Sequence, residues 1–176
     1  YTVVGSEWQQ IGQDIDGEAA LDWSGWSVSL SSDGNTVAIG APGNDYNGGS
    51  AGHVRVYNLV SSVWQKIGQD IDGEAASDLS GYSVSLSADG TTLAIGADGN
   101  DGYGFNSGHV RVYHLVDDSG SSLSWVQVGD DINGVAAGDR AGWSVSLSSD
   151  GKSVAVGTLY NDDNGANTGH ARVFSV

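Results

Sequence analysis

A histidine and an arginine two residues apart return three times in this chain, as His53 and Arg55, His109 and Arg111, and His170 and Arg172. Each pair stands in His-Val-Arg-Val-Tyr or, in the last copy, His-Ala-Arg-Val-Phe. Alternation along a strand puts the histidine, arginine and aromatic on one face and the small apolar residues on the other. Imidazole and guanidinium are able to move protons, ligate metals or hold anions. A group copied into every repeat better fits the contacts between repeats. The arginines are therefore expected to pair with a repeated acid, either Asp14, Asp70 and Asp131 or Asp22, Asp78 and Asp139, and to pin neighbouring strands. Asp22, Asp78 and Asp139 each precede x-x-Gly, where a carboxylate accepts backbone N–H groups in a turn.

A second set of oxygen ligands lies in the loops 44–52, 100–108 and 161–169, which are rich in Asn, Asp and Gly. Calcium takes 6–8 oxygen ligands, so calcium is a candidate ion, with Asp45, Asp101, Asp162 and Asp163 as its carboxylates. The spacing is not that of an EF-hand, and the same composition also makes turns. Positions that differ between copies suit specific contacts better than positions that repeat. Trp23, Leu79 and Arg140 share one such position, and Tyr46, Gly102 and Asp163 share another, with Phe105 nearby. Trp23, Tyr46, Phe105 and Arg140 are the candidate contacts to a ligand or partner, the aromatics by stacking on a sugar or anchoring a protein. Trp26, Tyr82 and Trp143, like Trp8, Trp64 and Trp125, repeat in place and read as packing residues. No nucleophile elbow, isolated triad or phosphate-binding glycine loop is present, so no enzymatic activity is expected.

The elements that carry these residues are strands. Trp8, Trp64 and Trp125 are spaced 56 and 61 residues apart, which sets copies of about 8–63, 64–124 and 125–176 in one repeat domain. Residues 1–7 read as the end of a preceding copy. The longer spacing comes from a polar insertion, DDSGSSLS, expected in a surface loop. Each copy opens on an alternating strand, WQQIGQDI, WQKIGQDI or WVQVGDDI, and continues through a linker to WSVSLS or YSVSLS. A turn with Asp33 and Gly34, Asp89 and Gly90, or Asp150 and Gly151 then leads into TVAIGA, TLAIGA or SVAVGT. The His-Val-Arg-Val-Tyr strand closes the copy. Each strand shows bulky residues on one face and small ones on the other, so stacked sheets would interlock.

Composition supports this. The 28 glycines suit many tight turns, and 39% hydrophobic residues suit a folded chain. A formal charge of −16 repels nucleic acid and anionic membrane, so neither is an expected partner. With no cysteine, disulfides and thiolate sites are excluded. No apolar run approaches the roughly 20 residues of a bilayer span, and the N-terminus lacks the pattern of a secretory signal, as a processed or truncated start would.

The motifs Asp-x-x-Gly-[Trp/Tyr]-Ser-Val-Ser, Val-Ala-Ile-Gly-Ala-Pro and Gly-His-Val-Arg-Val-Tyr resemble the FG-GAP type of β-propeller repeat, the class also found in integrin α-subunit heads. The resemblance implies an all-β fold of β-propeller blades, each of four antiparallel strands, with three repeats forming part of a larger or oligomeric propeller. Several positions depart from the family. Its phenylalanine before glycine is Ser24, Ser80 and Ala141 here, and Gly-Ala-Pro is intact only at Gly40, Ala41 and Pro42. The acidic calcium loop of integrin-type blades is replaced by the short Asp-Gly turn, so that calcium site does not carry over.

These readings point to a non-enzymatic, extracellular or cell-surface module with a structural or adhesive role. Its expected partners are itself, by strand exchange or ring closure, or flanking repeats of a longer chain, with a glycan or surface protein as ligand. The second reading is a calcium-assisted carbohydrate-binding module.

Overall fold

The computed structural model describes residues 2–4, 7–117, 120 and 122–176, with side chains from residue 7 onward. Among these residues the chain forms strands and no helix. A short antiparallel hairpin, β1 (Thr2–Val4) and β2 (Glu7–Gln9), comes first. Three antiparallel sheets follow. The first runs β3 (Ser27–Leu30), β4 (Thr36–Ala41), β5 (His53–Val60) and β6 (Val63–Lys66), with β7 (Ile71–Asp72) also paired to β5. The second repeats it as β8 (Ser83–Leu86), β9 (Thr92–Ala97), β10 (His109–Asp117), β11 (Leu123–Gln127) and β12 (Ile132–Asn133). The third has β13 (Ala141–Leu147), β14 (Ser153–Thr158) and β15 (His170–Ser175). We call these sheets blades 1, 2 and 3. The insertion before Trp125 lengthens the hairpin between β10 and β11, and its residues 118, 119 and 121 lie outside the described residues.

The opening strand of each copy turns out to be the outer strand of the preceding sheet, and it is not continuous. It breaks at Gly12, Gly68 and Gly129, whose φ angles of 73°, 72° and 70° belong to the left-handed region that favours glycine. The break also makes room. A Cβ on Gly68 would stand 2.7 Å from Cδ1 of Trp125 in the next blade, and one on Gly12 would stand 2.8 Å from Cδ1 of Trp64.

Between blades, bulky meets small. Ala38, Val54 and Val56 of blade 1 pack against Val84, Leu86, Leu93 and Ile95 of blade 2, with Trp125 completing the cluster. Ala94, Val110 and Val112 of blade 2 meet Val154 and Val156 of blade 3, with Val145, Leu147 and Phe174 alongside. The glycine of each Ala-Ile-Gly-Ala run lets the next backbone approach: a Cβ on Gly40 would collide with the Gly81 carbonyl, and one on Gly96 with that of Gly142. Every blade therefore offers one bulky face and one small face.

The Asp-Gly turns close the opposite end of the blades. Ser31 Oγ donates to Asp33 at 2.6 Å, and the Asn35 N–H donates to the same carboxylate at 2.9 Å. These bonds hold the exposed Asp33 carboxyl below its ordinary range, and the same pattern lowers Asp89 and Asp150.

An aromatic strip as candidate functional site

The repeated arginines have structural partners, though not the acids expected from sequence. Arg55 donates to the Asp16 carbonyl at 3.1 Å and pairs with Glu18 at 3.2 Å. Arg111 repeats this with the Asp72 carbonyl at 2.9 Å and Glu74 at 3.5 Å. Arg172 donates to the Asn133 carbonyl, and Val135 stands where the glutamate would be. Each guanidinium also lies over the aromatic two residues on, at 5.9, 5.7 and 5.2 Å from the ring centres of Tyr57, Tyr113 and Phe174. The arginines thus tie each blade to the linker before it.

His53 and His109 are buried beside these arginines. Each stands close to two carboxylates: the ligand atoms of Glu18, His53 and Asp70 lie within 4.8 Å of one another, as do those of Glu74, His109 and Asp131. Burial, then the neighbouring arginine, holds both imidazoles below the ordinary histidine range. The same arginines compensate the glutamates, so a cation entering here displaces an existing ion pair. Tyr46, four-fifths exposed, lines the depression above the first cluster together with Gln69 and Asp72. His170 is less enclosed and stands 3.8 Å from Asp163.

The loop carboxylates proposed for calcium do not converge. Asp45 accepts the Ser50 N–H at 2.7 Å, Asp101 the Asn106 N–H at 2.7 Å, and Asp162 the Asn167 N–H at 2.6 Å. Each closes its own loop, one per blade. The sets that do converge contain a histidine and two acids from separate segments, a grouping with no spacing signal in the sequence.

The buried carboxylates of Asp22, Asp78 and Asp139 brace the linker that enters each blade. Asp22 accepts the Ala19 N–H at 3.2 Å and the Asn44 side chain at 3.0 Å, tying linker to loop. Asp78 does so with Ala75 and Asn100, and Asp139 with Ala136 and Asn161. Directly after this brace stand Trp23, Leu79 and Arg140, with left-handed φ angles of 56°, 58° and 56°. A side chain is costly in that region, by about 1–2 kcal/mol, and such strain concentrates where side chains have to be aimed. The strained position is thus the copy-specific one. In blade 3 Arg140 reaches back to the fully buried Asp98 at 2.7 Å. Burial pushes the Asp98 carboxyl up, against the opposing pull of Arg140.

The aromatics expected to be packing residues do more. Trp23, Trp26, Tyr82, Trp143 and Tyr160 form a continuous run across all three blades, with successive ring centres 5.9, 5.4, 4.9 and 6.2 Å apart. Trp23 and Trp26 are about half exposed, at 52% and 54%, and Tyr160 at 40%. The rings lean on one another and still show a flank to solvent. Trp23, Trp26, Tyr82 and Trp143 stand at the start of the first strand of each blade, and Tyr160 lies in the long loop that follows β14. Tyr46, Tyr103 and Phe105 are exposed on the matching loops of blades 1 and 2. The signal was present in sequence: an aromatic follows Gly25, Gly81 and Gly142 in every copy, at the same strand position. Its meaning required knowing that these strand starts lie side by side.

Residues 14–57 and 133–174 match the FG-GAP repeat family. No curated protein matches the chain. Among solved structures, a complex of KlAtg21 with the coiled coil of AgAtg16 is similar at 15% identity, with a TM-score of 0.57, covering 85% of this chain and 39% of the other. A Kuenenia stuttgartiensis hydrazine synthase is similar at 16% identity and a TM-score of 0.49, over 85% of this chain and 33% of that one. A putative 6-phosphogluconolactonase from Bacteroides uniformis is similar at 16% identity and a TM-score of 0.45, over 83% and 40%. The chain therefore spans about two-fifths or less of these structures, and the likeness to the first concerns the fold alone.

Proposed function

We propose that this chain, which is built of FG-GAP-type propeller repeats, is a non-enzymatic module that works outside the cell or on its surface, as a structural or adhesive element. The repeat type suits a module for protein interaction. One observation carries the finer reading: the strip from Trp23 to Tyr160 crosses three blades with its rings partly open to solvent. Aromatic side chains give large contact area at low entropic cost and dominate binding surfaces. Held on rigid strand starts, they form a preorganised platform rather than a flexible one. A chain charge of −16 directs such a platform to neutral or cationic partners.

The second reading is carbohydrate binding with calcium assistance. The strip favours its first half, because sugar rings stack on exposed tryptophan faces. Glycan-array binding separates the two. Saccharide binding that is lost in Trp23→Ala or on adding a chelator supports the lectin. No saccharide binding, together with retention of a surface protein that depends on Trp23 and Trp26, supports the adhesive module. Loss of neither activity in Trp23→Ala and Trp26→Ala variants would remove the strip as the site of function.

A further inference from the structure

We infer that the cluster of Glu74, His109 and Asp131, and its copy of Glu18, His53 and Asp70, each bind one divalent transition-metal ion of the zinc class. This does not depend on what the aromatic strip binds.

Strand register builds both sites. β12 pairs with β10 so that His109 stands opposite Asn133, and alternation sets Asp131, one residue before β12, on the same face and diagonal to the histidine. β7 and β5 repeat this, with His53 opposite Asp72 and Asp70 diagonal to it. Glu74 and Glu18 come from the linkers that enter blades 2 and 1. In each cluster the three ligand atoms lie within 4.8 Å of one another. Zinc at its usual bond lengths sets tetrahedral nitrogen and oxygen donors roughly 3.4 Å apart. Asp131 Oδ2 already stands 3.6 Å from His109 Nδ1, so the closing motion falls mainly to Glu74, whose side chain is half exposed.

The histidines are donors without acceptors. His53 and His109 are 2% and 1% exposed, yet among the described residues neither ring makes a hydrogen bond. Their approaches of 4.0 Å to Asp72 and 3.6 Å to Asp131 are too long for one. Buried polar groups are normally bonded, and neutral imidazole is the commonest metal ligand among side chains. One nitrogen with two carboxylates suits a zinc-like ion better than calcium, which takes oxygen.

The surroundings are those of a metal site. Gln127 Nε2 donates to Asp131 Oδ1 at 2.8 Å, leaving Oδ2 towards His109, and such outer bonds orient ligating carboxylates. Lys66 takes the place of Gln127 in blade 1, with Nζ 2.7 Å from Asp70 Oδ1, so there a fixed cation competes with the metal. Glu18, His53, Asp70 and Asp72 line a cavity of about 350 Å³, with room for water in the remaining coordination positions. The incoming ion has to displace an arginine from each glutamate. Glu74 and Arg111 are 3.5 Å apart, and exposed pairs of this kind contribute little; Arg111 keeps the Asp72 carbonyl and the Tyr113 ring. Blade 3 does not repeat the set, because Val135 stands in the glutamate's place. A bound ion would staple linker to blade in a chain without cysteine.

Calorimetric titration of the metal-stripped whole chain with zinc chloride tests this, with absorption of the cobalt(II) form as a second readout. Two ions per chain are expected, together with a Tm that rises with zinc concentration. His109→Gln and His53→Gln each remove one ion. If either variant fails to fold, Glu74→Gln and Glu18→Gln, at half-exposed positions, carry the same test, each weakening its own site at least about tenfold. Lys66→Gln tightens the blade 1 site alone, His170→Gln leaves both sites intact, and millimolar calcium does not compete. A chain that binds no zinc, zinc binding that survives the double histidine variant, or displacement of zinc by calcium overturns the inference.

Discussion

The indole of Trp125 rests on Gly68, with its Nε1 bonded to the Ile67 carbonyl and its Cδ1 occupying the space where a Gly68 side chain would begin. One residue from each blade thus sets the spacing of both. Gly68→Ala adds a steric clash to a left-handed φ of 72°, for an expected loss of about 2–4 kcal/mol in urea unfolding. Gly129→Ala carries the same backbone cost with open space around it, and is expected to lose only about 1–2 kcal/mol in the single chain. Equal losses at the two sites would refute the role given to the indole.

Arg111 is the better-buried member of its ion pair, with Glu74 half exposed. Glu74→Gln is therefore expected to cost under about 1 kcal/mol, as for other exposed pairs. Arg111→Met also loses the bond to the Asp72 carbonyl and the stacking over Tyr113, and the expected cost rises to about 2 kcal/mol. Thermal unfolding of the two variants side by side measures the difference.

Stability should fall as pH drops from about 7 towards 5. His53 and His109 have folded-state values below the ordinary 6.5. Above 6.5 both states are neutral; below it the unfolded chain takes up protons that the folded chain refuses, until the folded value is reached. The groups facing His53 are Arg55, Asp70, Glu18 and Asp72. His53→Gln with His109→Gln should flatten the dependence of Tm on pH in this window. Asp33, Asp89 and Asp150 act lower: their contribution is present above the ordinary carboxylate value and is lost as pH falls through their depressed ones.

Removing Arg140 leaves the Asp98 carboxylate buried and unpaired. Arg140 is partly exposed, so the expected cost at neutral pH is about 2–3 kcal/mol, at the low end for a buried pair. The sign of its pH dependence is opposite to that of the histidines. Burial raises Asp98, so the stability of Arg140→Met is full below the ordinary carboxylate value and is lost as pH rises through the raised one. Denaturant midpoints at acid and neutral pH test this.

Tyr82 stands in the middle of the aromatic run, 5.4 Å from Trp26 and 4.9 Å from Trp143. Tyr82→Ala breaks two ring contacts, for an expected loss of about 1–3 kcal/mol. Trp23→Ala at the end of the run breaks one and keeps the Cβ that makes the left-handed φ costly, so its expected loss is smaller, about 0.5–1.5 kcal/mol. Tryptophan fluorescence and unfolding midpoints read both.

Much of the architecture was legible in the chain. Period-two alternation, the Asp-Gly turns and the threefold recurrence of Gly-His-Val-Arg-Val-Tyr are local signals, so strand positions and the bulky and small faces follow from them. The arginine partners were not legible: Glu18 and Glu74 lie in linkers, and only the packing of one blade on the next decides which acid faces the guanidinium. Tertiary structure likewise turned Trp26, Tyr82 and Trp143 from repeated packing residues into a half-open strip, and gathered His53 with Glu18 and Asp70. The sequence determined each blade through short-range patterning. Which residues meet between blades was decided by stacking, since those contacts join segments roughly 50 residues apart that carry no mutual signal along the chain.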